Sequence, residues 1–244
     1  MMDAMSTSTA PSTSPEADPA PASGREPRWV RPLLIVGAVL SLLMLGAAGG
    51  LLIGLPGSSA PTTPQAGSVD VGFAQDMTVH HQQAVEMAAW ERDHTTDPVL
   101  RQIAFDIEST QTEQIGRMQG WLELWGAPGL PVDDRHMAWM AAAPGHDHSG
   151  ADMPAAGVAT MPGMASPDEL RALRATTGTP LDVLFLQLML RHHEGGTSML
   201  DYAAQHAAVP QVRNLSAQML SSQTTEATYL RQLLAERGGT PLPL

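Results

Sequence analysis

Four stretches of this chain carry apolar residues at helical spacing, and a fifth is apolar throughout. In the first, Phe73, Met77, His80, Ala84, Met87, Glu91 and His94 advance by alternating steps of four and three, which lines them on one stripe of a helix. Phe185, Met189, His192, Gly196, Met199, Ala203 and His206 repeat that stripe, while His81 and His193 sit about 100° round from their neighbours. Leu100, Ile103, Ile107, Ile115, Met118, Leu122 and Trp125 predict another helix, which Asp97 caps, Pro98 opens and Gly126 closes. The helix before it then ends near Thr95. Pro180 after Thr179 opens a third long helix, Pro210 opens a fourth, and Gly238 stops it. Ser166 and Glu169 have capping-box spacing and predict a short helix through Arg174.

Residues 73–126 return without gaps at 185–238. The return keeps Phe73/Phe185, Gln75/Gln187, Met77/Met189, His80/His192, His81/His193, Met87/Met199, His94/His206, Pro98/Pro210, Arg101/Arg213 and Gln111/Gln223. Duplication within one chain accounts for this, and each copy reads as a helical hairpin. Two hairpins of long amphipathic helices joined by short turns predict an all-α fold, an antiparallel four-helix bundle with an approximate internal twofold.

The fifth stretch, Leu33 to Leu55, is uncharged and long enough to span a bilayer as a helix, whereas a signal-peptide apolar region is about 7–15 residues. Arg25, Arg28 and Arg31 precede it and no basic residue follows until Arg92, which predicts a single-pass membrane anchor with the amino terminus cytoplasmic and the repeats extracytoplasmic. Cleavage near Ser58 to Ala60 would instead yield a secreted protein. The expected organisation is a disordered tail (1–32), the anchor (33–55), a flexible tether (56–69), and a bundle (70–240) interrupted by a Met/His-rich loop (127–165). That loop holds His136, Met137, Met140, His146, His148, Met153, Met161 and Met164, and it reads either as a metal-gathering tract or as a low-complexity linker.

The chain has 25 acidic residues against 13 basic ones, a formal net charge of −12, which repels nucleic acid and draws in cations but reads mainly as a solubility device. With no cysteine there are no disulfides and no thiol site. No phosphate loop or nucleophile elbow occurs either, so an enzyme is not expected.

What remains is methionine and histidine. A thioether and an imidazole suit soft ions such as Cu(I) and Ag(I) better than oxygen-seeking cations, and their spacing lets one helix offer two ligands to one ion. Buried imidazoles cost stability unless satisfied, so packing alone would favour leucine in their place. The metal candidates are His80, His81, His192 and His193, then Met77, Met87, Met189 and Met199, with His94 and His206 at the far helix ends. Binding is expected to weaken as pH falls through about 6.5, where an unperturbed imidazole protonates.

The alternatives are a structural or partner-binding bundle whose histidines are merely buried, and a di-metal oxidase. For the oxidase, Glu91 and His94 supply one Glu-x-x-His, but Ala203 replaces the second glutamate. Gly195 and Gly196 inside the third helix imply a close approach there, either a tight crossing or room for a ligand.

The runs Phe73 to Met87 and Asp182 to Met199, each with its adjacent histidine pair, resemble the DUF305 family, as does Ser166 to Leu170 before the second run. The resemblance covers about residues 70 to 238. It implies a ferritin-like four-helix bundle in an exported or membrane-anchored protein, with copper or silver binding in some members. It carries His80, His81, His192, His193 and their flanking methionines over as candidate ligands. Gly196, Thr197 and Ser198 depart from the aliphatic residues more usual in that family.

Overall fold

The computed structural model describes residues 29–54, 63–131, 135–141 and 156–244, without the side chains of 30, 31, 48, 49 and 51–54. The disorder expected of residues 1–28 and 56–62, and the loop residues His146, His148 and Met153, lie outside the described residues. Among the described residues the chain is all-α, with six helices, one turn of 3-10 helix at Ala138–Met140, and no strand beyond an isolated bridge between His136 and Val158.

The described residues up to 54 and those from 63 on belong to two separate units. In the first, α1 (Val30–Gly54) coincides with the apolar run. Its described side chains from Pro32 to Ala47 are exposed. Among the described residues no helix is long and apolar enough to cross a membrane, so the expected anchor finds no support there.

The second unit contains α2 (Val69–His94), α3 (Pro98–Trp125), α4 (Pro167–Ala175), α5 (Thr179–His206) and α6 (Pro210–Glu236). α2 packs along α3, α5 along α6, and the two hairpins meet through α2 and α5. The helix ends fall where the sequence signals place them. Asp97 accepts from the backbone N–H of Val99 at 2.8 Å, Gly126 closes α3 in the left-handed region at φ 64°, and Ser166 with Glu169 completes the capping box of α4. Val209 offers α6 no side-chain cap. Asp70 serves instead, accepting from the N–H groups of Ala208 and Val209 at 3.0 and 2.8 Å, so the start of α2 holds the start of α6. Its repeat counterpart Asp182 accepts from Thr95 Oγ1 at 2.8 Å, near the start of α3.

The core divides into two apolar clusters. Phe73, Met77, Met118, Leu122, Met199, Leu215 and Met219 belong to one, and Ala84, Met87, Leu100, Ile107, Phe185, Met189 and Leu230 to the other. Along α2 the first cluster precedes His80 and the second follows it; along α5 the order is reversed about His192. The two helices therefore run antiparallel, with the histidines at the level where the clusters part.

Segments of the long loop are pinned to this frame. Asp76, 1% exposed, accepts from His136 Nδ1, Met137 N and Trp139 Nε1 at 2.7, 2.6 and 2.7 Å. Gly72 allows the Trp139 ring to lie on α2, since a Cβ there would come within 2.4 Å of the indole. Arg191 of α5 forks onto both carboxylate oxygens of Glu169 at 2.8 Å and fixes α4. This pairing pulls the Glu169 carboxyl down to about 2.

Asp76 is the keystone of the loop attachment, and removing it strands three donors under the 135–141 segment. Asp76→Ala is expected to lower unfolding free energy by about 2–4 kcal/mol and to expose the amides of residues 135–141 to hydrogen exchange. Urea denaturation with exchange mass spectrometry measures both; unchanged protection would contradict the assignment.

Candidate metal centre

Between the two apolar clusters all four long helices turn polar at once. α2 contributes His80 and His81, α3 Gln111 and Gln114, α5 His192 and His193, and α6 Gln223 and Glu226. Each is the repeat counterpart of another: His80 of His192, His81 of His193, Gln111 of Gln223, Gln114 of Glu226. All four imidazoles are fully buried.

Each imidazole is held through Nε2. His80 Nε2 donates to Pro162 O at 3.3 Å and His192 Nε2 to His80 O at 2.9 Å. His81 Nε2 meets Gln114 Oε1 and His193 Nε2 meets Glu226 Oε2, both at 2.8 Å. Carbonyl and carboxylate oxygens only accept, so the hydrogen sits on Nε2 and Nδ1 keeps its lone pair. All four Nδ1 atoms are buried without a hydrogen-bond partner, and so are Gln111 Oε1 and Gln223 Oε1. Imidazoles with Nε2–H tied to an acceptor and an unpartnered Nδ1 have the chemistry of metal-binding histidine, whose second nitrogen donates to a carbonyl or carboxylate.

The adjacent histidines of each pair diverge as their 100° offset requires. His80 and His192 face each other across the α2–α5 contact, ring centroids 3.8 Å apart. His81 and His193 turn toward α3 and α6 within their own hairpins, with ring centroids 6.4 and 6.3 Å from those of His80 and His192. Among the described residues, no group of three or more His, Asp or Glu side chains is arranged to hold a metal ion. The sulfurs divide likewise: Met77 and Met199 lie in one apolar cluster, Met87 and Met189 in the other, all at most 1% exposed. His94 and His206 are not brought to the layer. His94 is exposed at the end of α2, stacked on Trp90 at 3.7 Å, and His206 is half-buried beside Tyr202 at 4.3 Å.

Burial disfavours the imidazolium form. Desolvation lowers His80 to about 4 and His81 to about 3, with charge repulsion from neighbouring histidines adding to it, and lowers His192 well below the ordinary value. The neutral, ligand-competent imidazole thus persists far below pH 6.5, which corrects the threshold expected from unperturbed histidine.

The two glycines of α5 have separate reasons. A Cβ on Gly195 would lie 2.4 Å from the backbone of Pro162, so Gly195 admits the loop that carries the His80 acceptor. A Cβ on Gly196 would lie 3.1 Å from His80 Cε1, so Gly196 leaves space beside that ring. Glu91 stands apart from the layer, buried with Asp182, and desolvation followed by that neighbour's charge raises it to about 8.

Gln114 and Glu226 escape a reading based on retained repeat positions because the two differ. The buried stripe of α3 shows them nevertheless: Leu100, Ala104, Ile107, Gln111, Gln114, Met118 and Leu122, with Ile103 and Ile115 at its rim. Polar residues inside an otherwise apolar stripe, at the register of the histidines, were the available signal.

No curated protein matches the chain. A DUF305 protein from Streptomyces coelicolor matches at 39% identity over 74% of this chain and all of that one, with a TM-score of 0.64. A DUF305 fragment from Deinococcus radiodurans matches at 30% over 71% and 99%, with a TM-score of 0.55. CopM in its Cu(I)-bound form shares the fold at 22% identity over 68% and 96%, with a TM-score of 0.50. The family model described as a domain of unknown function, DUF305, matches residues 70–234, and the chain belongs to that family.

Proposed function

We propose that this protein binds a soft monovalent cation, Cu(I) foremost, at the histidine layer between its two helical hairpins, for copper buffering, delivery or resistance. The observation that carries the reading is the set of four buried Nδ1 lone pairs without partners, each on a ring whose Nε2 is already engaged. Leaving a buried acceptor unpaired costs about 1–3 kcal/mol, and a bound cation offsets several such penalties together. Cu(I) accepts nitrogen and sulfur donors, so His80 and His192 need recruit only a thioether or a third imidazole by side-chain movement. CopM, similar in fold, is a protein seen with Cu(I) and with Cu(II) bound.

In this reading the four long helices close as a ferritin-like four-helix bundle, and the bundle binds and releases its ion without catalysis. Arg25, Arg28 and Arg31 ahead of the uncharged run from Leu33 to Leu55 support a place for it outside the cytoplasm, anchored by that run or secreted after its cleavage, where methionine and histidine survive oxidation better than cysteine. Its acidic charge favours a metal cation over nucleic acid.

Titration of the full chain with Cu(I) against a competing chelator tests the site. His80→Ala with His192→Ala is expected to weaken binding by on the order of 100-fold or more, and Glu226→Gln, which removes the carboxylate behind His193, by about 10-fold. Unchanged affinity in the folded double variant would leave the histidines as structural groups only.

Acid gives a second check. The folded domain keeps His80 and His81 neutral to about pH 4 and 3, whereas the unfolded chain takes up protons from about pH 6.5. As pH falls the unfolded state binds more protons, so stability present above pH 6.5 is lost toward pH 4, by about 1.4 kcal/mol per unit for each such histidine. The Tm of the metal-free chain is expected to drop across that window, while Cu(I) stays bound at pH 5.5. Release of copper near pH 6.5 would contradict the buried site.

A further inference from the structure

We propose that the apolar cluster on the loop side of the histidine layer is a second soft-cation site, with thioether ligands drawn from Met77, Met118, Met137, Met161, Met199 and Met219. It goes beyond the histidine-layer reading and does not require it.

The repeat supplies an internal control. Met77 and Met199 on one side answer to Met189 and Met87 on the other, so duplication alone gives each cluster two methionines. Every other buried methionine among the described residues falls on the loop side. Met118 and Met219 occupy positions whose repeat counterparts are Leu230 and Ile107, buried in the opposite cluster. The same place in the same fold is thus filled by aliphatic side chains at one end and by sulfur at the other. Packing does not favour this, since methionine gives up more rotamer freedom on burial than leucine or isoleucine.

The loop adds sulfur to the same end. Met137, Met140 and Met161 are buried in that cluster, and Met164 packs against it. Met137 adopts φ 65°, the left-handed region, and is the only non-glycine residue to do so among the described residues. Its N–H is held by Asp76 Oδ2 at 2.6 Å. The chain accepts this backbone cost while Met137 is 1% exposed inside the methionine-rich apolar cluster. Pro162, next to Met161, carries the carbonyl that receives His80 Nε2, so this apolar cluster is covalently continuous with a support of the histidine layer. The ligand class is a soft monovalent ion that accepts an all-sulfur environment, Cu(I) or Ag(I) rather than a divalent oxygen-seeking cation.

The test uses the full chain with 13C-labelled methionine methyls and Ag(I) as the probe, followed by NMR. The methyl resonances of Met118, Met137, Met161 and Met219 are expected to shift with added silver. Met118→Leu with Met219→Ile, which installs the residues found at the opposite end, is expected to weaken one equivalent at least tenfold while the histidine signals still respond. Silent methyls beside responsive histidines would overturn this site and leave the histidine layer standing. Responsive methyls beside silent histidines would do the reverse. Methyl shifts with affinity unchanged in the double variant would also overturn it, since the sulfurs would then be bystanders.

Discussion

An imidazole has two nitrogens and, when neutral, one hydrogen. In this protein the hydrogen of each central histidine is committed to a loop carbonyl, a helix carbonyl, a glutamine or a glutamate, and that commitment leaves the lone pair on Nδ1. The arrangement needs a helix on either side of each ring, which the duplicated hairpin supplies, and it needs desolvation, which keeps the rings neutral. Four polar positions and their repeat counterparts form one layer because the two hairpins meet antiparallel at the point where their sequences correspond. The apolar clusters on either side carry the stability that such a layer consumes.

The same symmetry explains how the halves differ. Where the repeats agree, at His80/His192 and His81/His193, the layer is built; where they part, the two ends acquire different characters. One end is poorer in methionine and carries the buried Glu91 beside Asp182, while the other is richer in it and covered by the pinned loop segments. Asp76 and Gly72 make that covering possible, and their counterparts, Leu188 and Leu184, have nothing comparable to hold.

The helices were legible because each boundary has a local cause. Asp97 with Pro98, Gly126 and the Ser166 to Glu169 box act within one turn of chain, and the observed ends agree with them. The central histidines were legible because duplication compares the sequence with itself. Other parts depend on partners distant in sequence. Asp70 caps α6 from 138 residues away, and nothing near Val209 announces it. Gln114 and Glu226 support equivalent rings with different side chains, so retained identity passes over them. That His80 and His192 face each other while His81 and His193 turn inside their own hairpins follows from the packing of α2 on α5. Spacing alone made all four look equivalent.

Long-range 1H–15N NMR of the histidine side chains reads directly which nitrogen of each ring is free. His80, His81, His192 and His193 are expected to carry their hydrogen on Nε2 in the metal-free chain, and Cu(I) to move the Nδ1 resonances of His80 and His192. Hydrogen on Nδ1, or a response confined to Nε2, would contradict this assignment.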